Sequence, residues 1–129
     1  MARAAVDAQL AAARSLIKGV SSAEQSAAKI AVVTSRHENT RVLVALSQAA
    51  DQEPVVRALF NELLDGFTME LGTLLEKLEL RPNGPRIDLL HALIVGLSVI
   101  DLATSRRAGK ARAKAVLDLA FHLLSGDKQ

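Results

Sequence analysis

Apolar residues recur along this chain every three or four positions, the spacing that keeps them on one face of an α-helix, and nowhere do they alternate long enough to build a strand. The pattern predicts an all-α bundle of about six helices. In the first, Val6, Leu10, Ala13 and Ile17 form a thin, alanine-rich stripe that Gly19 stops. The second starts at Ser21, where a Ser three residues before Glu24 matches a capping box, and turns Ala23, Ala27, Ile30 and Thr34 inward. A break over residues 36–39 leads to a short third helix, with Asn39 as its cap and Leu43, Leu46 and Ala50 on its buried side.

Pro54 opens the fourth helix, because proline suits the first helical position. Its apolar arc runs from Val56, Phe60, Leu63, Leu64 and Phe67 to Leu78, which predicts a helix ending near residue 80, about 40 Å long at ~1.5 Å per residue. The run Arg81-Pro82-Asn83-Gly84-Pro85 breaks the chain. A fifth helix, expected over about 86–105, is apolar on nearly all sides; only His91, Ser98, Asp101 and Ser105 form a thin polar stripe. The sixth, over about 110–124, spreads its apolar residues across about twice the ~100° arc that one core covers. The last two helices therefore carry more apolar surface than a single small domain hides.

At 129 residues the chain fits one domain, long enough to bury about two thirds of its unfolded surface. Cysteine is absent, which removes disulfides and thiolate chemistry and favours a cytoplasmic location. The net charge of +2 argues little about nucleic acid. Residues 89–100, the most apolar run, fall short of the roughly twenty a membrane span needs, so no membrane partner is expected.

Chemistry is sparse. His37, His91 and His122 have no second histidine at ligand spacing, and the pairs Asp88/His91 and Asp118/His122 lack the further carboxylates of a di-metal bundle, so no metal site is expected. No Ser sits on a strained nucleophile turn, and Gly66, Gly72 and Gly96 are isolated rather than part of a phosphate loop. Neither enzymatic activity nor a cofactor is expected. The basic run Arg106, Arg107, Lys110, Arg112 and Lys114 lacks aromatic residues for base stacking and reads as a solvated segment.

The succession of features from about residue 22 to 125 resembles the C-terminal effector-binding and dimerisation domain of TetR-family transcriptional regulators. The resemblance rests on residues 39–51, on Glu53-Pro54-Val55-Val56-Arg57-Ala58-Leu59-Phe60 opening a long amphipathic helix, on the Leu80-Arg81-Pro82 turn, and on Ile87-Asp88-Leu89-Leu90-His91-Ala92-Leu93-Ile94-Val95-Gly96-Leu97. It implies that residues 1–20 are a connector-like first helix and that 21–126 bind ligand and dimerise. The family's helix-turn-helix has no counterpart here, which implies either a fragment of a longer regulator, the favoured reading, or a free-standing domain that has lost DNA contact. This chain alone is then expected to read no DNA sequence.

The resemblance further implies a homodimer through the last two helices, packed as a four-helix bundle. Leu89, Leu93, Gly96, Ile100, Ala113, Val116, Ala120 and Leu124 are the candidate interface. It also implies a small-molecule pocket among the second to fifth helices. Ile30, Thr34, Phe60, Leu64, Phe67, His91, Val95 and Ser98 are the candidate lining, an apolar set with a few hydrogen-bonding groups, as small-molecule sites usually are. The other reading is a helical protein-interaction or scaffold module with the same fold and no pocket.

Overall fold

The computed structural model describes residues 2–104 and 109–126 of the chain. Six helices account for nearly all of them: α1 (Ala2–Lys18), α2 (Ala23–Thr34), α3 (His37–Gln52), α4 (Pro54–Lys77), α5 (Gly84–Thr104) and α6 (Gly109–Gly126). The described residues include no strand.

Helix starts differ from expectation by one to three residues. At α2 the cap is Ser22, whose Oγ accepts from the Gln25 amide at 3.1 Å, while the Gln25 carboxamide oxygen accepts from the Ser21 amide at 2.7 Å. Glu24 is not the reciprocal partner. Asn39 lies inside α3, whose cap residue is Arg36 with no side-chain hydrogen bond. Pro85 is accommodated in the first turn of α5, where the carboxamide oxygen of Asn83 accepts from the Arg86 amide at 3.0 Å.

Helix α4 stops at Lys77, three residues before the expected end. The Leu80 amide bonds to the Leu75 carbonyl and the Glu79 amide to that of Glu76, a Schellman motif. Its left-handed position, usually glycine, is Glu79 at φ 60°.

Two apolar clusters build the bundle. The larger gathers Ile17, Ile30, Leu74, Leu90, Leu117 and Phe121 with their neighbours, and within it α2 makes its most extensive contact with α6. The smaller centres on Val6, Leu46 and Leu63, with Phe60 and Phe67 packed against it. α1 and α4 run parallel, since Arg3 meets Glu62 and Arg14 meets Glu70. They lie so close that a Cβ on Gly66 would overlap the Leu10 side chain.

Three helix C-termini are held by cations from elsewhere in the chain. Lys77 donates to the carbonyls of Ile17 and Lys18 at the end of α1, at 3.0 and 3.1 Å. Arg57 donates to Ala50 and Asp51 at the end of α3, at 3.0 and 3.1 Å. The buried Arg86 guanidinium donates to the Leu124 carbonyl near the end of α6. Each places positive charge where the last carbonyls of a helix concentrate negative charge.

Glu79→Gly removes the Cβ penalty of the left-handed conformation, so it should raise stability by about 1 kcal/mol. Urea unfolding with an unchanged m-value checks this; a loss of stability would show that the Glu79 side chain makes a compensating contact.

Candidate functional site

The alanine-rich face of α1 leaves the junction of the two clusters unfilled. A cleft of about 490 Å³ lies there, lined by all of the first five helices. Ile17 and Leu16 of α1, Ile30 of α2, and Leu71 and Leu74 of α4 supply apolar wall, with Ile94 of α5 across from them. The volume is in the range of small-molecule sites.

Five of the eight residues expected to line a pocket do so: Ile30, Phe67, His91, Val95 and Ser98. Thr34, Phe60 and Leu64 do not. Thr34 is buried behind the cleft, its hydroxyl donating to the Ala31 carbonyl at 2.9 Å. Phe60 shares a helix face with Phe67 and, like it, packs against the smaller cluster, but two turns, about 10 Å along the axis, take it beyond the cleft lining. Leu64 is partly buried and also outside the lining.

The cleft includes a wall and a polar set that the sequence pattern did not indicate. Gln9, Ala12, Ala13 and Ser15 bring α1 into it, and Arg36, Asn39 and Thr40 bring the first turn of α3. The signal for the first group is the run of small side chains on α1. None marks the second, because the α2–α3 junction reads as a loop.

Helix α5 faces the interior with its polar stripe. Ser98 and Asp101 are 8% and 9% exposed and His91 is half-buried, whereas Leu89 and Ile100 are 50% and 51% exposed. Each inward polar group has a partner. Ser98 donates to the Ile94 carbonyl at 2.8 Å, and Asp101 Oδ2 lies 2.7 Å from His37 Nε2. The His91 ring meets Phe67 edge to face, with centroids 5.9 Å apart. Burial lowers the His91 pKa from its ordinary 6.5, and the nearby Asp88 carboxylate pulls weakly the other way.

Asp101 also crowds α6. A Cβ on Gly109 would overlap its carboxylate in this position, so a side chain at the start of α6 would have to displace the group that meets His37.

The residues expected at a dimer interface divide in two. Leu89 and Ile100 are exposed, Leu93 and Val116 partly so, and a Cβ on Gly96 would meet nothing within 4 Å. Ala113, Ala120 and Leu124 instead face the chain's own core, because α2 covers that side of α6. Leu119 and Leu123, which were not expected there, carry the exposed face of α6 at 57% and 64% exposure.

Of the basic run, Arg106 and Arg107 lie outside the described residues, while Lys114 pairs with Asp118 at 2.8 Å. Among the described residues, no three His, Asp or Glu gather as a metal site. α5, at 21 residues, is longer than its apolar run, and by length and composition alone it is able to cross a membrane. No protein-family model, curated protein or solved structure matches the chain.

The His91 shift sets a pH dependence. With the folded pKa depressed, the unfolded chain takes up the proton first, so this contribution to stability is complete above about pH 6.5 and is lost as the pH falls below it. His91→Gln should flatten the acid limb of a plot of Tm against pH from about 7 downward. Superimposable limbs for the two proteins would show that His91 titrates alike in both states.

Proposed function

We propose that this chain is a ligand-sensing and dimerisation domain, arranged as in TetR-like transcriptional regulators, that binds a small and mostly apolar effector within each subunit. The cleft carries this reading. It is large enough for a metabolite-sized molecule, apolar along α1, α2 and α4 apart from Gln9, Ser15, Lys29 and Glu70, and supplied with further hydrogen-bonding groups on α3 and α5.

The partner is a second copy of the chain, seated on the outward faces of α5 and α6. Leu89, Val99 and Ile100 on one helix and Leu119 and Leu123 on the other are all exposed. Between Asp88 and Asp101, α5 has no charged side chain. Such a stripe resembles half of a helical core, and two copies close it into a four-helix bundle. A different protein covering the same stripe is the other reading, and the oligomeric state separates them. In the favoured reading the domain is cytoplasmic, catalyses nothing and reads no DNA sequence by itself.

Light scattering of the purified chain should give a dimer at micromolar concentration. Val99→Lys and Leu119→Lys, at positions already exposed within the subunit, should give folded monomer, because each buries a charge in the seam. A monomeric wild-type chain would remove the self-association.

For the cleft, a thermal-shift screen of apolar and amphipathic compounds should yield hits. At a hundred times the dissociation constant the stabilisation is about 2.7 kcal/mol. Those hits should weaken in Phe67→Ala and His91→Ala while the dimer persists; hits indifferent to both variants would place the site elsewhere.

A further inference from the structure

If the cleft binds a ligand, as proposed for its function, its charged and polar lining narrows the chemistry of that ligand. Three charged residues line it: Lys29, Arg36 and Glu70. Glu70 is held by Arg14 at 3.3 Å, and the Lys29 ammonium donates to the Gly19 carbonyl at 3.1 Å. Arg36 has no ion-pair or hydrogen-bonding partner for its side chain among the described residues. The acid near this end of α5, Asp101, is taken by His37 and is not part of the lining.

Arg36 is also the cap residue of α3, where it contributes no side-chain acceptor. The amides of His37 and Glu38 likewise have no acceptor among the described residues. Arg36 is exposed and solvated, but a guanidinium beside the positive end of a helix is a mildly unfavourable pairing that a shared anion turns into a favourable one.

Thr40 supplies the independent observation. Thr34, Thr68, Thr73 and Thr104 all turn their hydroxyls back onto a carbonyl of their own helix. Thr40 does not, although it is only 3% exposed, and it lines the cleft one turn beyond Arg36. The hydroxyl of this otherwise buried side chain forgoes the usual helical acceptor and keeps its accessible oxygen in the cleft, open to whatever occupies it. Asn39, also on the wall and making no side-chain hydrogen bond among the described residues, adds an amide donor beside it.

We propose that the cleft takes an aliphatic monocarboxylate, with its carboxylate at the start of α3 on Arg36, Asn39 and Thr40 and its chain along Leu16, Ile17, Leu71 and Leu74. A carboxylate offers acceptors to all three groups at once, and a hydrocarbon chain asks nothing of the apolar wall but burial. Size agrees. Taking each heavy atom as water-sized, at about 30 Å³, decanoate needs on the order of 360 Å³, against a cleft of about 490 Å³.

The test is isothermal titration of the whole chain with decanoate, decanol and decylamine, each below its aggregation concentration. It is run on wild type, Arg36→Gln, Thr40→Val and Ala13→Trp, with circular dichroism to check folding. Decanoate should bind at least tenfold more tightly than decanol, and decylamine no better than decanol. Arg36→Gln and Thr40→Val should weaken decanoate binding more than decanol binding, so that the preference for decanoate narrows. Ala13→Trp, which fills the cleft from α1, should abolish binding of all three.

Equal binding of decanoate and decanol by wild type, or a decanoate preference unmoved in Arg36→Gln, would overturn the carboxylate assignment and leave the cleft as an apolar site. Decanoate binding that survives in Ala13→Trp would overturn its location. Failure of all three compounds to bind wild type would overturn the carboxylate assignment and count against the ligand-binding reading as well.

Discussion

The orientation of α5 is the constraint on which the rest of the fold depends. A helix packed on a core ordinarily hides only its apolar side, and this one hides Arg86, Ser98, Asp101 and half of His91 together with Ile87 and Leu90, while Leu89, Val99 and Ile100 face outward. Burying polar groups costs more than it returns unless each finds a partner. The surrounding helices supply them. α3 begins where His37 reaches Asp101, α6 ends where its Leu124 carbonyl accepts from Arg86, and α4 brings Phe67 against His91. The positions of three helices are thereby tied to one polar stripe.

A second set of contacts fixes the helix ends. Lys77, Arg57 and Arg86 each come from a later element, or from a distant part of the chain, to reach carbonyls at the close of α1, α3 and α6. In sequence these residues read as ordinary surface cations. Placed at helix termini they favour one arrangement of the bundle over others with the same apolar faces, because the interaction weakens beyond the last turn. Gly66 works to the same end by steric means, letting Leu10 of α1 lie directly on α4.

Much of this was legible in the sequence. Number, order and approximate extent of the helices follow from apolar periodicity, and Gly19, Pro54 and the stretch 81–85 mark real ends or turns. What escaped was direction. The wheel of α5 shows a thin polar stripe but does not say that it turns inward, since that outcome depends on His37 and on the carbonyls of other helices. The pocket residues show the same limit. Phe67, His91 and Ser98 were identifiable as an apolar-plus-polar set, whereas Phe60 left it through distance along the helix axis, and Arg36 and Thr40 entered it through the pairing of α3 with α5. On α6, Ala113, Ala120 and Leu124 looked equivalent to Leu119 and Leu123 until α2 covered one side.

The contact of Asp101 with both His37 and the bare backbone at Gly109 makes α3 and α6 mechanical neighbours, although neither packs extensively on the other. The first turn of α3 forms one wall of the cleft and holds the carboxylate from one side; the start of α6, whose far face is exposed, closes on it from the other. One side chain thus spans the distance between an interior surface and an exterior one. A displacement of α3 that kept the His37 contact would carry the Asp101 carboxylate toward or away from the start of α6.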